Sequence, residues 1–349
     1  MSTLVPRSTR TRADFSASDE GTTLRVAIAG CGTVGGALID LLERHADETR
    51  RRTGVRFEVA RVLVRDRSLP RSAAVPRDLV TDHLDDFLGT PADVVVEAIG
   101  GVTTAATIAR VSLARGCRLV TANKALLRAE GPSLAAIARA HAFQGAALDF
   151  EAAVGGGVPV VRALRDSLAG HGVRAVRGVL NGTTNYILTR VEQGASYAAA
   201  LASAQRAGFA EADPTRDVTG LDAADKIAVL SWLAFGVDPT TLVVRTAGLP
   251  RHVEAAVGSA RAVGKVLRLV ASAERRDGIV RASVAPVALD PGDPLARTRD
   301  EENAVVIESE SAGAITLHGR GAGGHATASA LLADLLRAAS HISPLPSHS

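Results

Sequence analysis

Short apolar runs alternate along the chain with longer segments whose apolar residues recur at helical spacing. "LRVAIAG" (24–30) reads as a buried strand, and after "CGTVGG" the segment "ALIDLLERHADETRRR" (37–52) reads as one amphipathic helix. Further strand runs stand at "FEVARVLV" (57–64), "ADVVVEAIGG" (92–101), "CRLVTAN" (117–123) and "GAALDFEAAV" (145–154), with helical stretches between them. Alternation of this kind predicts a parallel sheet with helices on both faces. From about residue 170 the texture changes. "VRAVRGVL" reads as a strand, "NYILTRVEQ" as a helix, and the segments near 196–208 and 222–235 as two longer helices. Three strand runs, "KVLRLVASAE", "GIVRASVAPVAL" and "NAVVIESE", then lead to "AITLHGRGAGGHATASALLADLLRAA", which closes on a helix.

At 349 residues the chain suits two domains rather than one core. No apolar run approaches the roughly 18 residues that a membrane span needs, so a soluble protein is expected. Lys and Arg total 40 against 37 Asp and Glu, and the basic residues are scattered, which gives nucleic-acid binding no support. Cys31 and Cys117 are the only cysteines, too few for a disulfide framework or a zinc spacing. A reducing, cytoplasmic setting fits. The first 23 residues lack an apolar h-region and contain acids, which argues against secretion or organelle import and predicts a disordered lead-in.

Gly30, Gly32 and Gly35 form G-x-G-x-x-G directly after a strand and opening a helix. The first glycine permits the tight turn, the second lets backbone approach a pyrophosphate, and the third lets helix and strand pack closely. In this context a dinucleotide is the expected ligand, and a turn that merely packs is the alternative. The expected fold class is therefore α/β: a Rossmann-type doubly wound parallel sheet plus a second mixed α+β domain. At the end of the second strand an acid would favour NAD(H) and an arginine NADP(H). Here Arg65-Asp66-Arg67 offers both, and the two arginines tilt the expectation to NADP(H), with NAD(H) possible. Arg67 as an ordinary turn residue is the competing reading.

Four motifs can now be read together: "TANKALL" (121–127), "EAAVGGGVPVVRAL" (151–164), "LNGTTNYIL" (180–188) and "EADPTRDVTGLDAADK" (211–226). In order and separation they resemble homoserine dehydrogenase, over residues 24 to 338. The resemblance implies reversible NAD(P)H-dependent reduction of L-aspartate 4-semialdehyde to L-homoserine, on the branch leading to threonine and methionine. It implies a cofactor domain over 24–150, a substrate-binding, catalytic and dimerisation domain over 151–323, a helix 324–340 packing back on the first domain, and a tail 341–349. A homodimer is expected with it.

Hydride reduction of an aldehyde leaves alkoxide charge on the oxygen, so the site needs a proton donor that also polarises that oxygen. Asp222 and Lys226 are four apart, which puts carboxylate and ammonium on one helix face. Alone this would read as an exposed salt bridge. In the resemblance they are the catalytic pair with Lys226 the proton donor, so the reverse oxidation should favour alkaline pH, given an ordinary lysine pKa of about 10.4. Lys124 follows a strand at the carboxyl end of the parallel sheet, where ligands of α/β proteins bind. The resemblance places it beside the reacting centre. It also implies that Glu211 and Asp217 hold the substrate's ammonium and that Gly182 and Thr183 touch substrate, although Thr183 or Thr184 could equally cap the following helix. Implied cofactor contacts besides the three glycines are Thr33, Val34, Arg65, Gly100, Asn123, Lys124 and Gly321.

Gly155, Gly156 and Gly157 follow Glu151 without interruption. The resemblance implies a monovalent cation there, usually sodium, held by Glu151 and the carbonyls of Val154, Gly156 and Val158. Carbonyls converge on a cation when glycine lets the backbone leave ordinary conformations. A hinge, or a helix start facing the substrate carboxylate, is the competing reading. Arg320 and Ala326 stand where relatives commonly carry proline, so a more mobile closing loop is expected. The chain stops near the end of its last helix, which predicts no appended regulatory domain or fused kinase. Two other functions remain in view: a paralogous oxidoreductase acting on another amino-acid-derived aldehyde, and a non-catalytic dinucleotide sensor. A thiolate-dependent aldehyde dehydrogenase is disfavoured, because Cys31 lies in the phosphate turn and Cys117 begins a strand.

Overall fold

A computed structural model describes residues 22–72 and 74–340. The expected lead-in and the tail at 341–349 lie outside the described residues, except that Thr22 and Thr23 are not lead-in. They pair with Val55 and Arg56 as the first rungs of β1 (Thr22–Ala29), where β-branched side chains are favoured.

After β1 come α1 (Thr33–Arg44), α2 (Ala46–Thr53), β2 (Val55–Leu63), β3 (Val80–Thr81), α3 (Leu84–Gly89), β4 (Val94–Glu97), α4 (Thr103–Ala114), β5 (Arg118–Thr121), α5 (Lys124–Ala140) and β6 (Ala147–Asp149). The strands form one sheet in the order β3-β2-β1-β4-β5-β6, every pair parallel. That is the doubly wound order, with the carboxyl ends of β1 and β4 at the point where the winding reverses. The expected fold class holds. The single helix expected over 37–52 is two, because the apolar stripe stops at Leu42 and "HADETRRR" has little to bury. α2 ends at Gly54 in the left-handed conformation, φ 68°.

The chain continues through α6 (Val160–Arg162), β7 (Val173–Val179), α7 (Gly182–Glu192), α8 (Tyr197–Arg206), α9 (Thr215–Val218), α10 (Leu221–Phe235), β8 (Val244–Thr246), α11 (Val253–Ala262), β9 (Val266–Arg276), β10 (Ile279–Leu289), β11 (Glu302–Ser309), β12 (Gly313–Arg320) and α12 (Gly324–Ser340). The helix expected after the triple glycine is only the short α6, which runs on into a π-type turn at Ala163–Ser167. The second sheet runs β12-β11-β7-β9-β10-β8, antiparallel except where β8 joins β10. Leu267, Leu269, Ala271 and Ala273 of β9 face one core together with Ile187 of α7, Ile227 and Leu230 of α10 and Val257 of α11. Two further cores line the faces of the parallel sheet.

α12 returns from the second sheet to lie along α1. The approach is close: a Cβ on Gly324 would lie 2.6 Å from Cγ2 of Thr33, so the two helix starts meet. No helix among the described residues is long and apolar enough to cross a membrane.

Candidate active site

The carboxyl ends of β4 and β5 supply one wall. Glu97 closes β4 with no solvent exposure. It accepts from Thr121 Oγ1 (2.6 Å), the Ile99 N–H (3.0 Å) and Asn123 Nδ2 (3.4 Å). Burial pushes its pKa up against these bonds. Asn123 is the cap of α5: its Oδ1 accepts from the Leu126 N–H at 3.0 Å, while Nδ2 donates to the Gly101 carbonyl at 2.7 Å. Gly100 and Gly101 make the turn after β4 in the left-handed region, φ 71° and 70°.

Lys124 is the first residue of α5, a position at which the helix dipole disfavours a cation. Its ammonium reaches out of the first sheet's layer and lies 2.8 Å from Asp222 Oδ1. Asp222 sits in the first turn of α10, which opens from the left-handed Gly220 (φ 82°), and its other oxygen is 2.7 Å from Lys226 Nζ. Lys226 also donates to the Leu180 carbonyl at 2.7 Å. Burial alone would raise the Asp222 carboxyl, but the two ammonium groups outweigh it and hold its pKa far below the usual range. For Lys124 burial works downward, the Asp222 carboxylate works upward, and the net shift is upward.

Asn181 gathers the acids. Its Nδ2 donates to Asp217 Oδ1 at 2.7 Å and to Asp222 Oδ2 at 2.9 Å, and its Oδ1 accepts from the Thr184 N–H at 2.8 Å. It is therefore Asn181 that caps α7, not Thr183 or Thr184, which lie inside the helix. Thr183 Oγ1 donates to the Phe209 carbonyl at 2.5 Å. Gly182 is where the closing loop packs, since a Cβ there would meet Ala322 Cβ at 2.8 Å. Burial raises the pKa of Asp217, and the neighbouring Asp222 adds to the rise while the Asn181 bond opposes it. Glu211 stands apart: it is exposed before α9 and makes no ion pair among the described residues.

On the cofactor side, Gly30 is left-handed (φ 98°), and a Cβ there would lie 2.5 Å from the Ala98 carbonyl oxygen. A Cβ on Gly35 would lie 2.0 Å from the Gly30 oxygen, so the turn and α1 are packed backbone to backbone. Gly32 caps α1 without a side-chain bond, and Thr33 and Val34 form its first turn, leaving N–H groups for an anion. Beside them is a cavity of about 380 Å³ lined by Gly32, Thr33, Arg71, Ser72 and His325 among others. The residues present thus fit a dinucleotide. Arg65 is exposed just past β2. Asp66, the acid that could serve a ribose hydroxyl, instead accepts from the Ser68 N–H (2.8 Å) and hydroxyl (2.6 Å). Gly321 packs against Asn303 so tightly that a Cβ would come within 1.9 Å.

In the triple-glycine segment, Gly155 (φ 86°) and Gly156 (φ 62°) are left-handed. The Glu151 carboxylate accepts from the N–H groups of Val161 (2.9 Å) and Arg162 (2.8 Å), and the Val158 carbonyl accepts from Val160 (2.8 Å). The buried carbonyls of Val154 and Gly156 accept no backbone hydrogen bond among the described residues. No cluster of three or more His, Cys, Asp or Glu suited to a metal occurs there either.

Glu97, Asn181 and Arg71 had not been singled out as site residues. Glu97 was signalled by an acid ending the apolar run "DVVVE". Nothing local marks Asn181 as a bridge between Asp217 and Asp222, because those acids lie more than thirty residues downstream.

Comparison with known proteins follows the same division. Residues 159–336 match the family model described as homoserine dehydrogenase, and residues 30–146 that described as homoserine dehydrogenase, NAD binding domain. The chain is 40% identical to the homoserine dehydrogenase of Corynebacterium glutamicum over 325 residues, 91% of this chain and 72% of that protein. The Bacillus subtilis enzyme is 34% identical, over 90% and 72%. Among solved structures, a homoserine dehydrogenase from Thiobacillus denitrificans superposes with a TM-score of 0.85 at 35% identity, covering 92% of this chain and 75% of that one. A hyperthermophilic archaeal homoserine dehydrogenase in complex with NADPH superposes with a TM-score of 0.76 at 25% identity, covering 93% and 100%.

Proposed function

The chain belongs to the homoserine dehydrogenase family, and from that premise we propose how its own residues carry out the reaction. It is an NAD(P)-dependent oxidoreductase acting on a CH–OH group, interconverting L-aspartate 4-semialdehyde and L-homoserine. The single observation that carries the mechanism is the Asp222 carboxylate held between the ammonium groups of Lys124 and Lys226.

The nicotinamide cofactor, when bound, supplies the hydride. Lys226 has three N–H bonds, of which Asp222 and the Leu180 carbonyl engage two, and the third is directed to the substrate's oxygen as the general acid of reduction. Asp222 keeps that ammonium aimed. Lys124 adds a second positive charge where alkoxide charge develops. Asp217, with Glu211 from the exposed loop, receives the substrate's ammonium, and Asn181 orients Asp217. Gly182 and Thr183 shape the wall against which the substrate lies.

Gly30, Gly32, Gly35, Thr33 and Val34 hold the pyrophosphate, and Gly100, Asn123 and Gly321 border the cofactor's path. NADP(H) is the preferred form: Arg71 lines the cavity beside the glycine turn, held by the Leu69 carbonyl at 2.7 Å, Arg65 follows the end of β2, and the Asp66 carboxylate is engaged by Ser68. A sodium-class cation fits the unpartnered carbonyls of Val154 and Gly156, with Glu151 and Val158 completing the set through their remaining lone pairs. It would brace the segment and supply no chemistry.

We divide the chain into a cofactor domain (24–150, with α12 packed against it) and a substrate and dimerisation domain (151–323). A homodimer through the second sheet is supported by the sheet's far face, on which Val306, Arg177, Ser272 and Ser283 lie in one cross-strand row and the 3₁₀ turn Pro294–Arg297 packs. The setting is the cytoplasm, and the product feeds threonine and methionine synthesis. NADPH oxidation followed with aspartate semialdehyde tests the reading: turnover that disappears in Lys226→Ala supports it, and unchanged turnover in that variant overturns it.

A further inference from the structure

Lys124 and Asp222 belong to different layers, and their 2.8 Å contact depends on how α5 and α10 lie against each other. The helices run side by side in the same direction: the first residue of α5 meets the first turn of α10, and further along Gly131 of α5 meets Trp232 of α10. Arg128, between them on α5, donates to the Leu242 carbonyl of the loop before β8 at 2.8 Å.

Gly131 lies in the interior of α5, among the least favourable positions for glycine. It is not left-handed, but it precedes Pro132 within the helix, where a Cβ would crowd the proline ring. Space across the seam is a second, separate constraint. A Cβ at 131 would lie 2.9 Å from Cζ3, 3.3 Å from Cη2 and 3.4 Å from Cε3 of the Trp232 ring. The ring is partly buried and stacks on Phe150 (centroids 5.9 Å apart, planes 5° apart), which braces one of its faces. The Arg165 guanidinium lies over Phe150 in turn, 5.4 Å from its centroid, and Asp149 holds that guanidinium at 3.0 Å. With the indole in this place, glycine lets the two helix backbones come closer than a larger residue at 131 would.

We infer that the Gly131–Trp232 contact is the spacer of this seam, setting the separation of α5 and α10 so that the Lys124 ammonium is delivered to Asp222. Gly131 and Trp232 are thus positioning residues for the reduction, acting through Lys124. The inference rests on the reading of Lys124 and Asp222 as part of the catalytic site.

Trp232 is the chain's single tryptophan, so its fluorescence reports on the spacer directly. In Gly131→Ala the helices must part or the indole must move. The expected result is a shifted Trp232 emission, a fall in kcat of about tenfold or more with aspartate semialdehyde, and an NADPH dissociation constant within about twofold of the parent. Trp232→Phe removes the ring atoms that the new methyl would strike while leaving an aromatic face for Phe150. The double variant Gly131→Ala/Trp232→Phe is therefore expected to recover kcat to within about threefold of Trp232→Phe alone. Parental kcat in Gly131→Ala, an equal loss of NADPH affinity, or no recovery in the double variant would each overturn the inference. If Gly131→Ala alone does not fold, activity of the double variant decides in the same way. An inactive parent chain with shifted emission in Gly131→Ala would overturn the assigned reaction and leave the spacer standing.

Discussion

Lys124 and Asp222 meet at 2.8 Å although one opens a helix of the parallel sheet and the other a helix of the second sheet. The contact joins the carboxyl end of the parallel sheet to the start of α10 through a single carboxylate. That carboxylate also holds Lys226 at 2.7 Å, so one anion sets the position of two cations.

Removing the anion should therefore cost both structure and rate. Asp222→Asn leaves two partly buried ammonium groups facing each other, and a loss of about 3–5 kcal/mol in urea unfolding is expected. Turnover should fall by about 10²-fold or more in the folded fraction. A variant as stable as the parent would contradict the charge ladder.

Lys226→Ala should lower kcat by about 10²- to 10⁴-fold and leave NADPH binding unaltered, since the role proposed for it is toward the substrate's oxygen and not the dinucleotide. Steady-state rates beside a fluorescence titration of NADPH separate the two effects.

Gly30→Ala forces a side chain into a left-handed position (φ 98°) and against the Ala98 carbonyl at 2.5 Å. Strain of about 1–3 kcal/mol in the phosphate turn should weaken NADPH binding by about tenfold or more. Unchanged affinity would show that the turn does not form the cofactor site.

Asn181→Asp keeps the shape and the cap of α7 but replaces the amide that donates to Asp217 and Asp222 with a third carboxylate. A rise in KM for aspartate semialdehyde of about tenfold is expected, larger at neutral than at mildly acidic pH. The pH dependence of KM is the measurement.

Asp334 of α12 is buried, accepts from the Glu151 N–H at 2.8 Å, and lies near the Asp149 and Glu151 carboxylates, with Arg162 at 3.6 Å as partial compensation. Burial first, then Asp149, pushes its pKa up to about 7. The folded state thus keeps a proton that the unfolded chain releases near pH 3.9. Stability should therefore fall as pH rises from about 4 through 7, with a steepest slope of about 1.4 kcal/mol per pH unit. Asp334→Asn, which mimics the protonated form, should flatten that slope, and unfolding transitions at pH 5.5 and pH 8 for both proteins check it.

Local patterns carried the reading of the fold. The parallel sheet was legible because apolar runs and helical periodicity are properties of neighbouring residues, and so was the glycine turn, whose three glycines recur at fixed spacing between one strand and one helix. The Asp222 and Lys226 pair was legible for the same reason, since four residues make one helical turn. Short elements without a clear stripe, such as β8 and α11, were not. Which distant groups converge was beyond any local pattern: Lys124 on Asp222, Asn181 on two acids, Trp232 on Gly131. Those meetings follow from how the crossover helices and the second sheet pack, and packing is settled by the fit of whole surfaces, which no stretch of ten or twenty residues encodes alone.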